Sequence, residues 1–435
     1  MVSPSAPQFT LSQLLDSARH NNLAIRNARS DIEAARLQRK EAFTQFFPNV
    51  SATGLWFNAN RGMAKTTLNP SEMLPPETGI MLAQMFPAEA LATLSSPVSI
   101  SMMKNGTIAA VTAMQPIFAG GRIFNGSRLA RLGEDVSRLQ LQRTENEVEK
   151  NTERYFWQLV SLQEKQKTVA AVATMLADIH KDVDVALRAG VALRNDLLQV
   201  QLRQNEVESQ ALKLQNSVGI VRLLLAQYCG LSTSDFSVSV PTFAQDSLLT
   251  DTPVAPVGTE WGQTPEYLLL QKQVEATDLQ RKMEIGKRLP SVAVGAGYNY
   301  HNLLDNDRTF AMLFATVSVP ISDWWGGSQA IKRKKIAHHQ AQQQLEDKAQ
   351  LLSIRMQKAW NDVTEARQQV TIAQRSIEQA EENLRLHRDY YQAGTCRMSD
   401  LLEAQLLYQQ ACDKQTDTYA DYQNKLLEYR QATAQ

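Results

Sequence analysis

The sequence reads Ala393-Gly394-Thr395-Cys396-Arg397-Met398-Ser399-Asp400-Leu401-Leu402 near its carboxyl end, and a similar stretch, Ala189-Gly190 to Asp196-Leu197-Leu198, lies 204 residues earlier. Glycine after the last residue of a helix adopts the left-handed conformation at little cost, so Gly190 and Gly394 predict helix ends. Asn195 and Ser399 predict N-caps of the next helices, and Asp196 and Asp400 then lie where a helix dipole favours negative charge. Each stretch is therefore predicted to be a tight turn between two helices.

A plain helical hairpin loop is the simplest interpretation of one such turn. Two copies in matching surroundings favour a shared function, and we treat both as one candidate functional site. Its residues are Ala189, Gly190, Asn195, Asp196, Leu197, Ala393, Gly394, Thr395, Ser399, Asp400 and Leu401.

The duplication extends beyond the turns. Leu37-Gln38-Arg39-Lys40 and Pro48 recur as Leu279-Gln280-Arg281-Lys282 and Pro290, at an offset of 242. Similarity at a fixed offset indicates repeated structural units. We therefore expect two tandem structural repeats, residues 1–230 and 261–435, joined by an irregular segment at 231–260.

Hydrophobic periodicity and proline positions divide each repeat into the same order of elements. In the first repeat we predict a helix at 9–45, strands at 46–58 and 107–118, a long helix at 122–189 and a helix at 195–229. A loop at 61–105, with a short helix at 79–93, separates the two strands. In the second repeat we predict a helix at 264–287, strands at 291–300 and 308–319, a long helix at 328–392 and a helix at 399–433.

Both long helices carry apolar residues at a spacing of seven, which predicts supercoiled packing against partner helices. Each long helix would measure about 100 Å, and the two shorter helices of its repeat together reach about the same length. Tilted strands of about ten to twelve residues can cross a bilayer, but the four predicted strands of one chain are too few to close a barrel. Further copies of the chain are therefore expected to complete it; two copies supply eight strands and three supply twelve.

Composition excludes several classes of function. Lys plus Arg and Asp plus Glu both number 45, so a basic nucleic-acid footprint is absent from the composition. Residues 1–4 lack a signal region, which fits a cytoplasmic protein or a removed signal, and we expect removal. The run Lys332-Arg333-Lys334-Lys335 is interpreted as a solvated or lumen-facing band, with attraction of anions as the alternative. The sequence contains no catalytic, metal or nucleotide motif, so we predict no enzyme activity and no cofactor.

The chain resembles the outer-membrane efflux protein family, the TolC-like proteins, over nearly its whole length. The resemblance is carried by Phe9-Thr10-Leu11, Phe47-Pro48-Asn49-Val50, Gln115-Pro116-Ile117-Phe118, Gly120-Gly121 and the two Ala-Gly-x5-Asp-Leu-Leu turns. It implies a mainly helical homotrimer, with a twelve-stranded outer-membrane β-barrel continued by a twelve-helix periplasmic α-barrel. It also implies docking at the turns of a periplasmic adaptor protein that links the channel to an inner-membrane pump.

The resemblance further implies an aperture that charged residues close near the turns. The candidates are Asp182, Asp184, Glu381, Glu382, Arg385, Arg388 and Asp389. An ordinary solvated helix face is the alternative interpretation for each of them. The expected function is a passive exit duct of a tripartite efflux or type I secretion system, in contact with outer-membrane lipid. A coiled-coil structural spacer or adhesin stalk remains the alternative.

Overall fold

The computed structural model describes residues 7–69, 98–239, 260–303, 306–321 and 323–434, together with the single residues 78, 81, 85, 255 and 258. The chain divides into two compact units. Unit 1 comprises Met1–Gln38, Ala130–Asp278 and Ile336–Gln435, and unit 2 comprises Arg39–Leu129 and Leu279–Lys335.

The described helices follow the order of the sequence. They are α1 (Leu11–Asn21), α2 (Leu23–Thr44), α3 (Arg122–Arg188), α4 (Arg194–Cys229), α5 (Pro265–Gly286), α6 (Asp323–Gln392) and α7 (Met398–Ala432). The strands are β1 (Gln8–Phe9), β2 (Asn49–Asn58), β3 (Ala64–Leu68), β4 (Val98–Met102), β5 (Asn105–Ala119), β6 (Ser237–Val238), β7 (Ser291–Leu303) and β8 (Asn306–Ser318). None of the helices in this described part of the chain is long and apolar enough to span a membrane.

The single helix predicted at 9–45 is wrong, because Asn22 interrupts it between α1 and α2. Asn22 has an extended backbone, with φ −61° and ψ 130°. Its side-chain amide donates to the carbonyl of Tyr228 at 3.0 Å, and its side-chain oxygen accepts from the N–H of Ala24 at 2.9 Å. The segment predicted as irregular at 231–260 also contains a strand, since β6 pairs in parallel with β1. Residues 240–254 of that segment lie outside the described residues.

The long helices α3 and α6 contain 67 and 70 residues. Their positions at spacing seven are core positions in unit 1: Val148, Val169, Leu176 and Val183 of α3 are buried, as are Met356, Val363 and Leu384 of α6. Small buried residues, Ala366 and Ala373, accompany them on α6. The spacing of seven thus marks the faces along which these helices pack.

Helix α6 begins at Asp323, five residues before the predicted start at 328. Gly120 and Gly121 have positive φ values of 62° and 73° and form the turn from β5 into α3. Gly327, which the sequence repeat aligns with Gly121, is instead helical. A Cβ there would clash with the side chain of Arg288, so this glycine permits close packing rather than a turn.

Unit 2 contains an antiparallel sheet of four strands in the order β2-β5-β7-β8. Within the described residues, β2 and β8 are its edge strands, and a single chain leaves both edges open. In the second hairpin, Val294 lies opposite Ala315 and Ala296 lies opposite Leu313. Open edges present unpaired backbone groups that can pair with another strand.

The two faces of this sheet differ in character. Cross-strand partners place on one face Val50, Ala52, Trp56, Val111, Ala113, Val292, Val294, Ala296, Tyr298, Leu313, Ala315 and Val317. We call these residues the apolar sheet face. The opposite face is mixed. It carries the polar or small residues Asn49, Ser51, Thr53, Thr112, Gly295, Gly297, Asn299 and Thr316 together with the apolar residues Leu55, Ile108, Met114, Phe310, Met312 and Phe314. The apolar face is exposed, with Leu313 at 87% and Trp56 at 70%.

The loop predicted at 61–105 begins and ends in strands. β3 pairs antiparallel with β4, from Ala64 opposite Met102 to Leu68 opposite Val98. These strands were not predicted because their sequence is polar and alternates only weakly. They are stabilised by the backbone hydrogen bonds of their pairing, which a sequence pattern does not show. The short helix proposed for 79–93 lies almost entirely outside the described residues.

Candidate docking site at the paired helical turns

The two predicted turns share one backbone geometry. Gly190 and Gly394 have φ values of 77° and 72°, in the left-handed region, as the sequence predicted. At the end of α3, the N–H of Val191 donates to the carbonyl of Ala186 and that of Gly190 to Leu187, both at 3.0 Å.

At the end of α6, Thr395 donates to Tyr390 at 2.9 Å and Gly394 to Tyr391 at 3.0 Å. This pair of bonds satisfies carbonyls that the helix end would otherwise leave unpaired.

The prediction of Asn195 and Ser399 as N-caps is wrong. The N-caps are Leu193 and Arg397, and Asn195 and Ser399 lie in the first turns of α4 and α7. Each helix start is stabilised by the aspartate three residues after the N-cap. Asp196 accepts from the N–H of Leu193 at 3.2 Å, and Asp400 accepts from the N–H of Arg397 at 3.1 Å.

The two turns lie side by side in unit 1 and line one open depression of about 870 Å³. Met398 and Leu401 form its buried floor, together with Ile179 of α3. Burial and then the nearby carboxylate of Asp196 raise the pKa of Tyr391, which shows that the first turn reaches the last residues of α6. The sequence repeat thus produces two adjacent turns rather than two separate ones.

The side chains exposed on the two turns differ, although their backbones match. Val191 is 80% exposed and Leu193 is 70% exposed, so the first turn presents apolar groups to solvent. The equivalent residues of the second turn, Thr395 and Arg397, are polar. The sequence prediction missed Val191 and Leu193 because it followed only the letters common to both turns. Two large apolar residues inside a predicted turn were the sequence signal that could have indicated an exposed apolar surface.

Most of the charged residues that are candidates for an aperture form ion pairs within their own helix. Asp184 forms an ion pair with Arg188, four residues later. Arg385 pairs with Glu382 at 2.7 Å and with Asp389 at 3.0 Å. The hydrogen bond from Arg385 holds the pKa of Glu382 below its ordinary value. These pairs are solvent-exposed and contribute little to stability.

Three further candidates lie elsewhere. Asp182 and Arg388 line the depression between the turns. Glu381 lies near α7: burial, followed by the Cys412 thiol and the Glu381 carboxylate, raises the pKa of Tyr408 to about 12. A single chain therefore brings Asp182 and Arg388 to one surface and leaves Glu381 on another.

A polar cluster between α4 and α7 lies next to the turns and was not predicted. Arg203, 13% exposed, donates from Nε to Gln405 at 3.1 Å and from Nη2 to Gln409 at 3.0 Å. Gln409 in turn donates to Gln210 at 2.8 Å. Gln405 and Gln409 are buried, so this interface joins the two helical hairpins through hydrogen bonds as well as apolar contacts.

Among the described residues, no three His, Cys, Asp or Glu side chains lie close enough together to hold a metal ion. The depression between the turns is lined by backbone, apolar and mixed polar groups. This chemistry is typical of a surface that binds a helical or extended segment of another protein.

The sequence of residues 265–435 matches the family described as "Outer membrane efflux protein". No curated protein sequence matches the chain significantly. Solved structures with the same fold include the CmeC outer membrane channel of Campylobacter jejuni, at 15% identity and a TM-score of 0.77, covering 97% of this chain and 85% of that one.

The outer membrane protein VceC of Vibrio cholerae matches at 13% identity and a TM-score of 0.75, covering 97% of this chain and 95% of that one. The open state of the MtrE outer membrane channel of Neisseria gonorrhoeae matches at 14% identity and a TM-score of 0.70, covering 97% of this chain and 88% of that one. At these identities the likeness is one of fold.

Proposed function

We propose that this chain, which resembles the outer membrane efflux proteins, is the outer-membrane channel of a tripartite efflux or type I secretion system. The observation that carries the proposal is its fold, which covers 97% of the chain in the match to the CmeC channel. Small molecules or polypeptides would leave the cell through it passively. Energy would come from an inner-membrane pump that a periplasmic adaptor connects to the channel.

The open sheet of unit 2 supports a homotrimer in the outer membrane of a Gram-negative bacterium. Its apolar face is exposed, and in the part of the chain that the structure describes β2 and β8 are its unpaired edge strands. Exposed edges and a large apolar surface favour association with further copies and with lipid. Three copies would close a barrel of twelve strands, wide enough for an aqueous channel.

The paired turns support adaptor docking. Val191 and Leu193 expose apolar groups beside a depression that both turns line. An adaptor that binds this surface would shift the second hairpin relative to the first. That motion would have to break the hydrogen bonds of Arg203 with Gln405 and Gln409, which hold the two hairpins together. Opening is then a change between two packed arrangements.

The channel itself is tested with purified protein. Extraction is expected to need detergent, and light scattering should give three times the chain mass of 48.7 kDa. In planar bilayers the protein should form pores of low conductance, because the aperture is closed at rest. A water-soluble monomer without pores would refute the proposal and favour a structural spacer or adhesin stalk. High resting conductance would instead contradict the closed aperture.

Adaptor docking is tested in cells that depend on this channel for export. The double variant Val191→Asp, Leu193→Asp should keep its trimeric mass and its conductance but lose export, since charged groups oppose docking on an apolar surface. The matched control, Ser209→Asp with Asn216→Asp, adds the same charge at exposed positions of α4. Equal loss of export in both variants would exclude a specific role for the turns.

A further inference from the structure

Positive charge is concentrated in the helical segments next to the sheet of unit 2. Segments 39–45, 122–129, 279–290 and 323–335 contain 12 Lys and Arg but only 3 Asp and Glu, a net charge of +9. The whole chain has a net charge of zero, so the remainder carries −9. We call the basic residues of these four segments the basic belt. They are Arg39, Lys40, Arg122, Arg128, Arg281, Lys282, Lys287, Arg288, Lys332, Arg333, Lys334 and Lys335.

Each of the four segments also exposes a large apolar residue. This residue lies nearer to the strands than the basic ones, except that Arg122 precedes Phe124 on α3. On α6, Trp325 is 85% exposed, and Lys332 follows seven residues later. Seven residues are about two helical turns, so Trp325 and Lys332 share one face about 10 Å apart along the axis. Lys332, Arg333 and Lys335 are exposed, whereas Lys334 donates to Gln280 at 3.0 Å.

The same order occurs on the other helices of unit 2. On α3, the guanidinium of Arg128 lies over the ring of exposed Phe124, at 5.9 Å from its centroid. On α2, exposed Phe43 follows exposed Lys40 and packs against Phe46 and Phe47, with centroids 5.6 and 5.5 Å apart. After α5, Leu289 is exposed and follows Arg281 and Lys282.

From the strands into the helices, unit 2 presents an apolar sheet face, then exposed aromatic and apolar residues, and then cations. The layers of a lipid bilayer, from its core to its surface, favour these residue types in the same order. Hydrocarbon contacts the sheet face, aromatic rings lie at the headgroup level, and cations meet the lipid phosphates. Lys and Arg have long apolar stems that let their charges reach this level from the helix.

We propose that the basic belt binds anionic phospholipid headgroups at the inner surface of the membrane that surrounds the sheet. The inference rests on the proposed membrane location of the sheet and adds a lipid class to it. The belt selects anionic over zwitterionic lipids because the four segments carry nine more basic than acidic residues, and Lys332, Arg333 and Lys335 among them are exposed. Its binding should weaken with salt, since exposed charges are screened within about 10 Å at 0.1 M.

The test measures lipid binding to the purified protein in neutral detergent by native mass spectrometry, with phosphatidylglycerol and phosphatidylcholine as probes. The belt variant carries Lys332→Gln, Arg333→Gln and Lys335→Gln. The control carries Lys213→Gln, Lys348→Gln and Lys414→Gln, which remove the same charge from exposed positions of unit 1. Each cation at an anionic surface contributes about fivefold, so the belt variant should lose its preference for phosphatidylglycerol on the order of 100-fold. The control should change it by no more than a few-fold.

Three outcomes overturn the proposal: a wild-type protein without preference for phosphatidylglycerol, equal losses in both variants, or full displacement of the lipid by inorganic phosphate. A fourth concerns the water pathway. If the belt variant changes the anion selectivity of the pore in a phosphatidylcholine bilayer and keeps its lipid preference, the belt lines the lumen instead.

Pore formation by the wild type is recorded separately in the same neutral bilayer. A wild type that conducts but lacks lipid preference removes only this inference, whereas a wild type that forms no pore removes the proposed function.

Discussion

Glu153 of α3 provides a test of the helical core through pH. Burial, followed by the nearby carboxylate of Glu149 and opposed by Arg430, raises the pKa of Glu153 from 4.5 to about 7. A salt bridge of 3.4 Å holds Glu149 to Arg19 of α1, and one of 2.8 Å holds Lys150 to Glu428 of α7. Glu153 therefore lies between an acidic neighbour on its own helix and a cation on α7.

The sign of the effect follows from proton linkage. The folded protein holds the proton of Glu153 more tightly than the unfolded chain does, so the free energy of unfolding falls as pH rises from about 4.5 to about 7. At 1.36 kcal/mol per unit, the shift corresponds to a loss of about 3 kcal/mol above pH 7, as an upper limit. Replacing Glu153 by Gln removes this loss. The variant should match the wild type at pH 4.5 and exceed its stability by about 2–3 kcal/mol at pH 8.

Chemical denaturation at several pH values between 4.5 and 8 measures the difference. Glu365→Gln, at an exposed position of α6, is the control and should follow the wild type at every pH. A constant difference between Glu153→Gln and the wild type across this range would refute the reasoning, because the variant would then act through packing and not through ionisation.

Three further substitutions test other parts of the structure. Gly394→Ala should lower the free energy of unfolding by about 1 kcal/mol through left-handed strain alone, because no atom lies within 4 Å of the added Cβ. Gly120→Ala should lower it far more, because its Cβ would clash with the backbone of Gly286. Arg203→Met should cost about 2–3 kcal/mol by leaving buried glutamine oxygens unpaired and should raise pore conductance, while Lys213→Met on the same helix should change neither. Leu313→Asp, on the apolar sheet face, should reduce insertion into vesicles by about tenfold or more, and Met312→Asp on the opposite face should not.

The sequence predicts best what local chemistry determines. Gly190 and Gly394 end their helices as expected, because few other residues adopt positive φ without strain. The spacing of seven identified core residues such as Leu176 and Val363, because helix periodicity alone places them on one face. The alternation of Val292, Val294 and Ala296 likewise identified a sheet face without knowledge of its partners.

The remaining features depend on contacts between distant residues or on competition between neighbours. Asn22 breaks the first helix because its amide bonds to the carbonyl of Tyr228, 206 residues away. Asn195 and Asp196 can both stabilise a helix start, and only the backbone shows that the aspartate does so while Leu193 is the N-cap. Gln201 and Gln405 occupy equivalent positions of the two sequence repeats, yet Gln201 contacts His180 and Gln405 is buried against Arg203. Such differences arise from the packing between hairpins.

In the proposed docking site, the residues of the two turns divide between structure and recognition. The glycine and aspartate that both turns contain fix the backbone, through the same helix-end and helix-start hydrogen bonds. Val191 and Leu193 differ from Thr395 and Arg397 at equivalent positions, and all four side chains are exposed. The Thr395 hydroxyl donates to the carbonyl of Tyr390 at 3.0 Å and so helps to hold the second turn. In the proposed docking site, the contrast between apolar Val191 and Leu193 and polar Thr395 and Arg397 would distinguish partners. In a trimer the six turns would then form two classes of three, so an adaptor that requires apolar contacts would engage the first class while the second class contributes polar ones.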